Sequence, residues 1–303
     1  MIPQIVPVPG SGTEDVAVAA DGSAFTGTAD GAIWRVSRDG RRIDRVADTG
    51  GRPLGIETLP DGRLVVCDAR GLLRIDPATA TVETLVGLVE GVAMAFCNNA
   101  AVAGDGTIWF SDSSAHYGLD RWQDEMAMNT RTGRLLRLGP GDSEPEVVET
   151  GLAFANGVAL AADGSFVAVA ETAARTVVRR WLTGPRAGER DLLVDDLPGY
   201  PDNISRGSDG LIWVGVASPT DPLVERLQHG PRWLRRTATR VPTRLQPGPK
   251  RSVRVQAYDD AGRLVHDLDL PADDFHMVTG VREHQGLIWL SSLHESSLAV
   301  LEP

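Results

Sequence analysis

The sequence predicts an all-β fold, a six-bladed β-propeller with four-stranded blades that fills residues 1–303 as a single domain. A turn element, usually Asp-Gly, recurs six times along the chain, and a short apolar run follows each copy. Asp-Gly between two apolar runs is a strong hairpin signal, because glycine readily adopts the positive φ of such turns. The turn glycines lie 40 to 76 residues apart, mostly at propeller spacing.

Each repeat supplies the same elements in the same order. The six turns are Asp21-Gly22, Asp61-Gly62, Asp105-Gly106, Asp163-Gly164, Asp209-Gly210 and the degenerate Gln285-Gly286. A large apolar residue stands three positions past each turn glycine, where it would pack against the neighbouring blade: Phe25, Val65, Trp109, Val167, Trp213 and Trp289. The chain begins and ends with β-like runs, at 5–8 and 298–301. We therefore expect the N-terminal strand to complete the last blade and close the ring.

Two repeats carry insertions after their second strand, at roughly 113–131 in blade three and 217–251 in blade five. Loops at this place in a blade lie on the face where the innermost strands enter, so both insertions should overhang one mouth of the channel. Residues 222–254 hold nine basic residues and a single acid, Glu225. This stretch is interpreted either as a solvated insertion with a short helix or two, or as a lid over a site for anionic or apolar ligands, or as a contact for an anionic membrane.

Composition excludes several classes of protein. With 42% hydrophobic and 23% charged residues the chain has the profile of a soluble globular protein. A net charge of −11 argues against non-specific nucleic-acid binding. No apolar run is long enough for a transmembrane segment, and the start lacks a signal peptide, so a cytoplasmic location is expected. Two cysteines are too few for a disulfide framework or a cysteine zinc site, and the oligomeric state is left open.

Polar side chains recur eight residues before the turn glycines. The six positions are Glu14, Leu54, Asn98, Asn156, Asp202 and Val278, and four of them carry a carboxylate or a carboxamide. Because these positions begin the innermost strands, their side chains should converge on the channel axis. An all-oxygen ligand set suits Ca²⁺, whereas zinc would favour nitrogen or sulfur. The alternative is that these residues only cap turns.

Several stretches together resemble a known superfamily. They are residues 12–15, 51–57, 96–99, 110–114, 154–158, 197–205 and 281–286, and the resemblance covers essentially the whole chain. The superfamily comprises the calcium-dependent six-bladed propellers of the senescence marker protein, gluconolactonase and paraoxonase kind, and the nearest branch is strictosidine synthase-like. The resemblance implies metal ligands at Glu14, Asn156 and Asp202, with Asn98 and Asn203 added from the paraoxonase pattern. Calcium is the expected ion, and Zn²⁺, Mn²⁺ or Mg²⁺ are also compatible.

Three catalytic residues of the superfamily are replaced in this sequence. Leu54 stands where paraoxonase-like enzymes have a histidine that serves water activation, and Phe96 stands where gluconolactonases have a sugar-binding arginine. Thr279 aligns with the glutamate that acts on the amine in plant strictosidine synthases. The chain is therefore expected to be none of these three enzymes as named.

The resulting hypothesis is a metal-dependent hydrolase that opens a lactone or ester less polar than a sugar lactone, with this small molecule as its partner. Asp202 is the favoured general base or water-orienting group, and His276 is the second candidate. The expected substrate pocket comprises Leu54, Phe96, Asn99, His116, Tyr117 and Thr279. The alternatives are a strictosidine synthase-like condensing or cyclising enzyme and a non-catalytic binding propeller.

Overall fold

The computed structural model describes residues 3–241 and 248–302 and confirms the six-bladed β-propeller. Six antiparallel sheets of four strands each stand around a channel. The innermost strand of each blade contacts the innermost strand of the next, and blade one contacts blade six. The ring is therefore closed, and every innermost strand begins at the same mouth of the channel.

The strands follow one another blade by blade. The first half of the chain contains β1 (Gln4–Pro7); β2 (Val16–Val18), β3 (Ala24–Gly27), β4 (Ala32–Val36) and β5 (Ile43–Asp48) in blade one; β6 (Pro53–Thr58), β7 (Leu64–Asp68), β8 (Gly71–Asp76) and β9 (Thr81–Val86) in blade two; a separate hairpin of β10 (Leu88–Val89) and β11 (Val92–Ala93); and β12 (Cys97–Val102), β13 (Ile108–Asp112), β14 (Gly133–Leu138) and β15 (Glu146–Leu152) in blade three. The second half contains β16 (Ala155–Leu160), β17 (Phe166–Glu171), β18 (Thr176–Trp181) and β19 (Arg190–Val194) in blade four; β20 (Gly199–Arg206), β21 (Ile212–Pro219), β22 (Val253–Tyr258) and β23 (Leu264–Leu270) in blade five; and β24 (Val278–His284), β25 (Leu287–Ser292) and β26 (Ser297–Leu301) in blade six.

The N-terminal strand closes the ring, as the sequence predicts. Strand β1 pairs antiparallel with β26, with Gln4 opposite Val300 and Pro7 opposite Ser297. It is therefore the outermost strand of blade six, whose sheet order is β1-β26-β25-β24. The first and last strands of the chain thus share one sheet, which ties the two ends of the ring together.

The core is divided among the six interfaces between blades, each filled by its own cluster of buried apolar residues. Trp109, Trp213 and Trp289, three positions past their turn glycines, are buried there as predicted. Blade four departs from the pattern, because Val167 faces blade three and Ala168 takes the position that faces blade five. The reason is one extra residue in the turn before β17, which shifts alternate side chains to the opposite face of the sheet.

Both insertions lie over the same mouth, as predicted. The blade-three insertion contains a 3₁₀ turn, Leu119–Arg121, followed by α1 (Trp122–Met128); the blade-five insertion contains α2 (Pro222–Gln228) and α3 (Arg232–Ala238). The helices contact one another, so the expected short helices form a joint roof. Strand β21 continues to Pro219, so the second insertion starts after 219 rather than at 217. Arg244, one of the nine basic residues of the stretch 222–254, falls outside the described residues.

No helix in the described part of the chain is long and apolar enough to cross a membrane.

Candidate functional site

The innermost strands of blades three, four and five each carry a β-bulge near the channel mouth. The register shifts between Cys97 and Ala100, between Ala155 and Val158, and between Pro201 and Ile204. A bulge re-aims side chains because two residues oppose one on the neighbouring strand. Inside these bulges lie Asn98, Asn99, Asn156, Asp202 and Asn203, so irregular backbone positions four of the five predicted ligands.

Glycine lets the strands approach closely at this level. A Cβ atom on Gly157 would lie 2.1 Å from the backbone nitrogen of Ile204, and one on Gly55 would lie 2.5 Å from Cα of Asn99. Neither position could hold a side chain without moving the backbone of the next blade. The narrow ring of innermost strands that brings the polar groups together therefore depends on these glycines.

Four buried oxygens at the mouth accept no hydrogen bond from the described residues. They are Oε2 of Glu14 and the amide oxygens Oδ1 of Asn98, Asn156 and Asn203. Leaving a buried acceptor unpaired costs about 1–3 kcal/mol, so four of them in predicted ligand residues need an explanation. Glu14, Asn98, Asn156 and Asp202 line one small cavity of about 70 Å³. A cation at this place would satisfy oxygens that no described residue satisfies.

The amide orientations agree with this arrangement. Nδ2 of Asn98 donates to Oγ of Ser113 at 2.9 Å, and Nδ2 of Asn156 donates to Oγ1 of Thr172 at 3.1 Å. Each hydroxyl in turn donates to a backbone carbonyl of the following blade, Ser113 to Ala155 and Thr172 to Pro201, both at 2.7 Å. Because the amide nitrogens are held by the protein, the amide oxygens are left free to bind an ion.

The side chain of Asn203 is held by Glu14. Its Nδ2 atom donates to Oε1 of Glu14 at 3.2 Å, which joins blades five and one directly. The other carboxylate oxygen of Glu14 is the unpaired one. All five predicted ligands thus lie at one mouth, four of them on innermost strands and Glu14 just before β2, although Asn203 does not itself line the small cavity.

The carboxyl groups at the mouth repel one another in a region of low solvent access. Burial, together with the nearby charge of Asp15, raises the pKa of Asp202 to about 7. The pKa of Glu14 lies well above its usual value, first because of burial and then because of Asp202 and Asp15. Arg52 attracts Glu14 and lowers its pKa, but burial outweighs this effect. A divalent cation would supply the missing positive charge.

The donor set is one of oxygen atoms. The described residues contain no group of three or more His, Cys, Asp or Glu side chains that could hold a metal ion. Here two carboxylates are combined with three carboxamides, which the softer transition metals do not prefer. The residues present therefore fit a hard cation such as Ca²⁺.

Asn99 and Asp15 belong to the framework below the cavity. Nδ2 of Asn99 donates to Asp15 at 3.0 Å, and Oδ1 of Asn99 accepts from the backbone nitrogen of Val158 at 2.8 Å. Asp15 also accepts from the backbone nitrogen of Ile56, and burial raises its pKa to about 6. The sequence predicts Asn99 in the substrate pocket, but the structure does not place it on the cavity, because the bulge turns Asn98 inward and Asn99 toward the next strand.

Three other expected pocket residues, Leu54, Phe96 and Thr279, line the cavity. Further lining residues that the sequence analysis missed include Leu119, Trp122, Met126, Phe154 and Tyr200. The first three follow an i, i+3, i+7 pattern, and this spacing of one apolar helix face could have identified them.

His116 and Tyr117 lie beside this helix and outside the cavity. His116 is exposed, and the Tyr117 ring lies 4.9 Å from the guanidinium carbon of Arg121. The sequence therefore located the segment that covers the mouth, while the structure places other side chains of that segment on the cavity.

His276 lies at the rim and is not brought together with the ligands. Its Nδ1 atom is hydrogen-bonded to the Glu295 carboxylate, and its Nε2 atom lies 3.4 Å from Nη1 of Arg251. The His294 ring approaches it edge-on at 5.5 Å. Since Arg251 can only donate, Nδ1 of His276 carries the proton that goes to Glu295.

The family is shown by sequence comparison. The family described as SMP-30/Gluconolactonase/LRE-like region matches residues 24–228, about two thirds of the chain. The chain belongs to the SMP-30/gluconolactonase family. A second family, described as strictosidine synthase-like, N-terminal, matches residues 4–36.

Curated relatives of this SMP-30/gluconolactonase member come from animals and plants. The human adipocyte plasma membrane-associated protein is 32% identical over 96% of this chain and 75% of its own length. STRICTOSIDINE SYNTHASE-LIKE 10 of Arabidopsis thaliana is 32% identical over 83% of this chain and 70% of its own length. These proteins agree with the strictosidine synthase-like branch that the sequence predicts.

Solved structures share the fold at low sequence identity. A gluconolactonase from Xanthomonas campestris superposes with a TM-score of 0.72 at 18% identity, covering 98% of this chain and 88% of that one. A calcium-binding regucalcin from Agrobacterium tumefaciens superposes with a TM-score of 0.68 at 13% identity, covering 97% and 90%. At these identities the likeness concerns the propeller alone.

Proposed function

We propose that the protein is a divalent-metal-dependent hydrolase of lactone or ester bonds and that its ion is Ca²⁺. The observation that carries the proposal is the group of four unpaired buried oxygens on Glu14, Asn98, Asn156 and Asn203 beside Asp202. Membership of a family that includes gluconolactonases supports hydrolysis. A bound cation would polarise the substrate carbonyl and stabilise negative charge on its oxygen.

Asp202 is the residue best placed to handle water. Of the five proposed ligands it alone is partly exposed, while the other four are buried. Its carboxylate can therefore accept a hydrogen bond from a water molecule in the cavity and orient that molecule toward the carbonyl. His276 stays a weaker candidate for a catalytic role, because Glu295 and Arg251 already engage its ring.

The walls select the substrate. Leu54, Phe96 and Phe154 surround the polar floor with apolar surface, and the rings of Phe96 and Phe154 lie 5.4 Å apart. Leu54 and Phe96 replace the histidine and the arginine expected from paraoxonases and gluconolactonases. Sugar hydroxyls would find few partners on this surface, so the proposed substrate is a less polar ester or lactone.

A second candidate is a condensing or cyclising reaction, which the strictosidine synthase-like relatives favour. Thr279 argues against the amine–aldehyde form of this reaction, because its hydroxyl donates to the backbone oxygen of Glu14 and carries no charge. A binding propeller in which the ion only joins the blades is the third candidate. The cytoplasmic location expected from the sequence stays a prediction.

The test combines metal analysis with hydrolysis assays. Elemental analysis of the purified protein should find about one calcium per chain, and hydrolysis of phenyl acetate or of a simple lactone should stop on chelation and return with added CaCl₂. Asp202→Asn should abolish hydrolysis while the propeller still folds, and Asp195→Asn, at an exposed loop carboxylate, is the matched control. Bound calcium without hydrolysis would favour condensation or binding, and absence of any metal effect would overturn the proposal.

A further inference from the structure

A second, larger chamber lies under the helical roof. Its volume is about 710 Å³, and its walls come from both insertions. Helix α1 contributes Trp122, Met126 and Ala127, and α2 contributes Val224 and Leu227. Most of the described residues that line the chamber therefore belong to the two insertions, and the strands of blade five supply the rest.

The chamber adjoins the ligand cavity. Trp122, Met126, Tyr200, Ser218 and Pro249 line both spaces. A molecule whose carbonyl lies beside Asp202 could therefore extend past these residues and under the helices. The small cavity of about 70 Å³ holds little more than the reacting group, so the remainder of a larger substrate must lie in the chamber.

The chamber walls are held in place by specific contacts. The Tyr200 hydroxyl donates to Oε1 of Glu225 at 3.0 Å and accepts from the backbone nitrogen of Asp221 at 3.2 Å, which ties α2 to the innermost strand of blade five. Gln228 donates to the backbone oxygen of Met126 at 2.8 Å and joins α2 to α1. Helices of seven residues are not stable alone, so these bonds and the packing around them define the roof.

Some apolar side chains on the chamber wall are exposed to solvent. Leu223 and Leu234 line it, yet they remain 60% and 39% exposed. The two acids on its wall are engaged, Asp124 with Arg121 at 2.7 Å and Asp221 with the first turn of α2. Arg226 and Lys250 also line it, and neither makes an ion pair with a described residue in the structure. Such a surface suits an apolar chain and also tolerates an anionic end.

We propose that this chamber binds an alkyl chain of the substrate, so that the enzyme prefers esters or lactones carrying a chain of several methylene groups. The expected chain-length preference in catalysis rests on the proposed hydrolase function. It follows from the chamber volume, its continuity with the Asp202 cavity and the exposed leucines on its wall. Each buried methylene should raise kcat/KM about fourfold, the equivalent of about 0.8 kcal/mol.

The test compares p-nitrophenyl acetate, butyrate, hexanoate and octanoate. Ala127→Trp on α1 and Ala238→Trp on α3 each place an indole in the chamber from a different helix. If one of the two variants does not fold, the other still tests the inference. Arg236→Trp, on α3 but outside the chamber wall, is the control. We expect kcat/KM to rise along the series in the native protein, and the octanoate-to-acetate ratio to fall at least tenfold in both chamber variants but not in the control.

A binding measurement separates this inference from the proposed function. cis-Parinaric acid, a fluorescent long-chain carboxylate, should bind the calcium-free protein at about one molecule per chain, and both chamber variants should weaken binding at least tenfold. Acetate hydrolysis with a flat chain-length series and no parinaric acid binding would overturn the chamber and leave the hydrolase intact. Chamber-dependent binding without hydrolysis of any ester would support the chamber and overturn the hydrolase. Unchanged ratios and unchanged binding in both variants would refute the inference.

Discussion

Thr172 offers a sharp test of how the ligand oxygens are aimed. Its hydroxyl accepts a hydrogen bond from the amide nitrogen of Asn156 at 3.1 Å and donates one to the carbonyl oxygen of Pro201 at 2.7 Å. Thr172→Val keeps the shape of the side chain and removes both bonds. Because Thr172 is only 6% exposed, water cannot easily replace them, and the amide of Asn156 becomes free to rotate.

Two magnitudes follow from this change. Each buried group left without its partner costs about 1–3 kcal/mol, so the free energy of unfolding without calcium should fall by about 2–4 kcal/mol after relaxation. Loss of the residue that orients a metal ligand typically lowers affinity 10–100-fold, and we expect the calcium dissociation constant to rise by that factor. Both changes originate in one hydroxyl group, which is not among the proposed calcium ligands.

The assay is isothermal titration of chelator-treated protein with CaCl₂, together with urea unfolding in the absence of calcium. Thr84→Val, on the exposed outer strand of blade two, is the matched control and should change neither quantity appreciably. A Thr172→Val protein that is destabilised but binds calcium within twofold of the native affinity would refute the reasoning, since the Asn156 oxygen would then need no orienting partner.

Two further predictions concern the same ring of strands. Burial raises the pKa of Asp202 to about 7 and that of Asp15 to about 6, so the calcium-free native state holds protons that the unfolded chain releases. The contribution of these two carboxyls to stability should therefore fall as pH rises from 4 to 8. Added CaCl₂ should raise the melting temperature most at pH 8. An equal effect of calcium on the melting temperature at pH 5 and pH 8 would contradict this prediction. Gly157→Ala should lower the free energy of unfolding by about 3 kcal/mol or more in urea, because its Cβ would lie 2.1 Å from the nitrogen of Ile204. Gly87→Ala, where the nearest atom lies 3.8 Å away, should change stability little, and equal effects of the two substitutions would refute the close-approach argument.

Positions that are fixed by counting within a repeat could be predicted from the sequence. The distance from hairpin turn to strand entry is constant, so counting along the sequence is enough to align Glu14, Asn98, Asn156 and Asp202. The same counting misplaced Val167, because one extra residue in a turn reverses the facing of a whole strand. Counting also could not show which of Asn98 and Asn99 lines the cavity, since a bulge decides which side chain turns inward.

Sequence by itself thus determined the propeller, the closure of its ring, the family and the polar positions around the channel mouth. These features depend on local turn chemistry and on alternation along strands, and both are written into neighbouring residues. The tertiary structure alone decided which oxygens stay unpaired, which apolar residues of the insertions line the cavities, and that His276 is engaged at the rim. Those features arise from contacts between residues far apart in the chain, such as Thr172 with Pro201 and Tyr200 with Glu225, and no local pattern specifies such contacts.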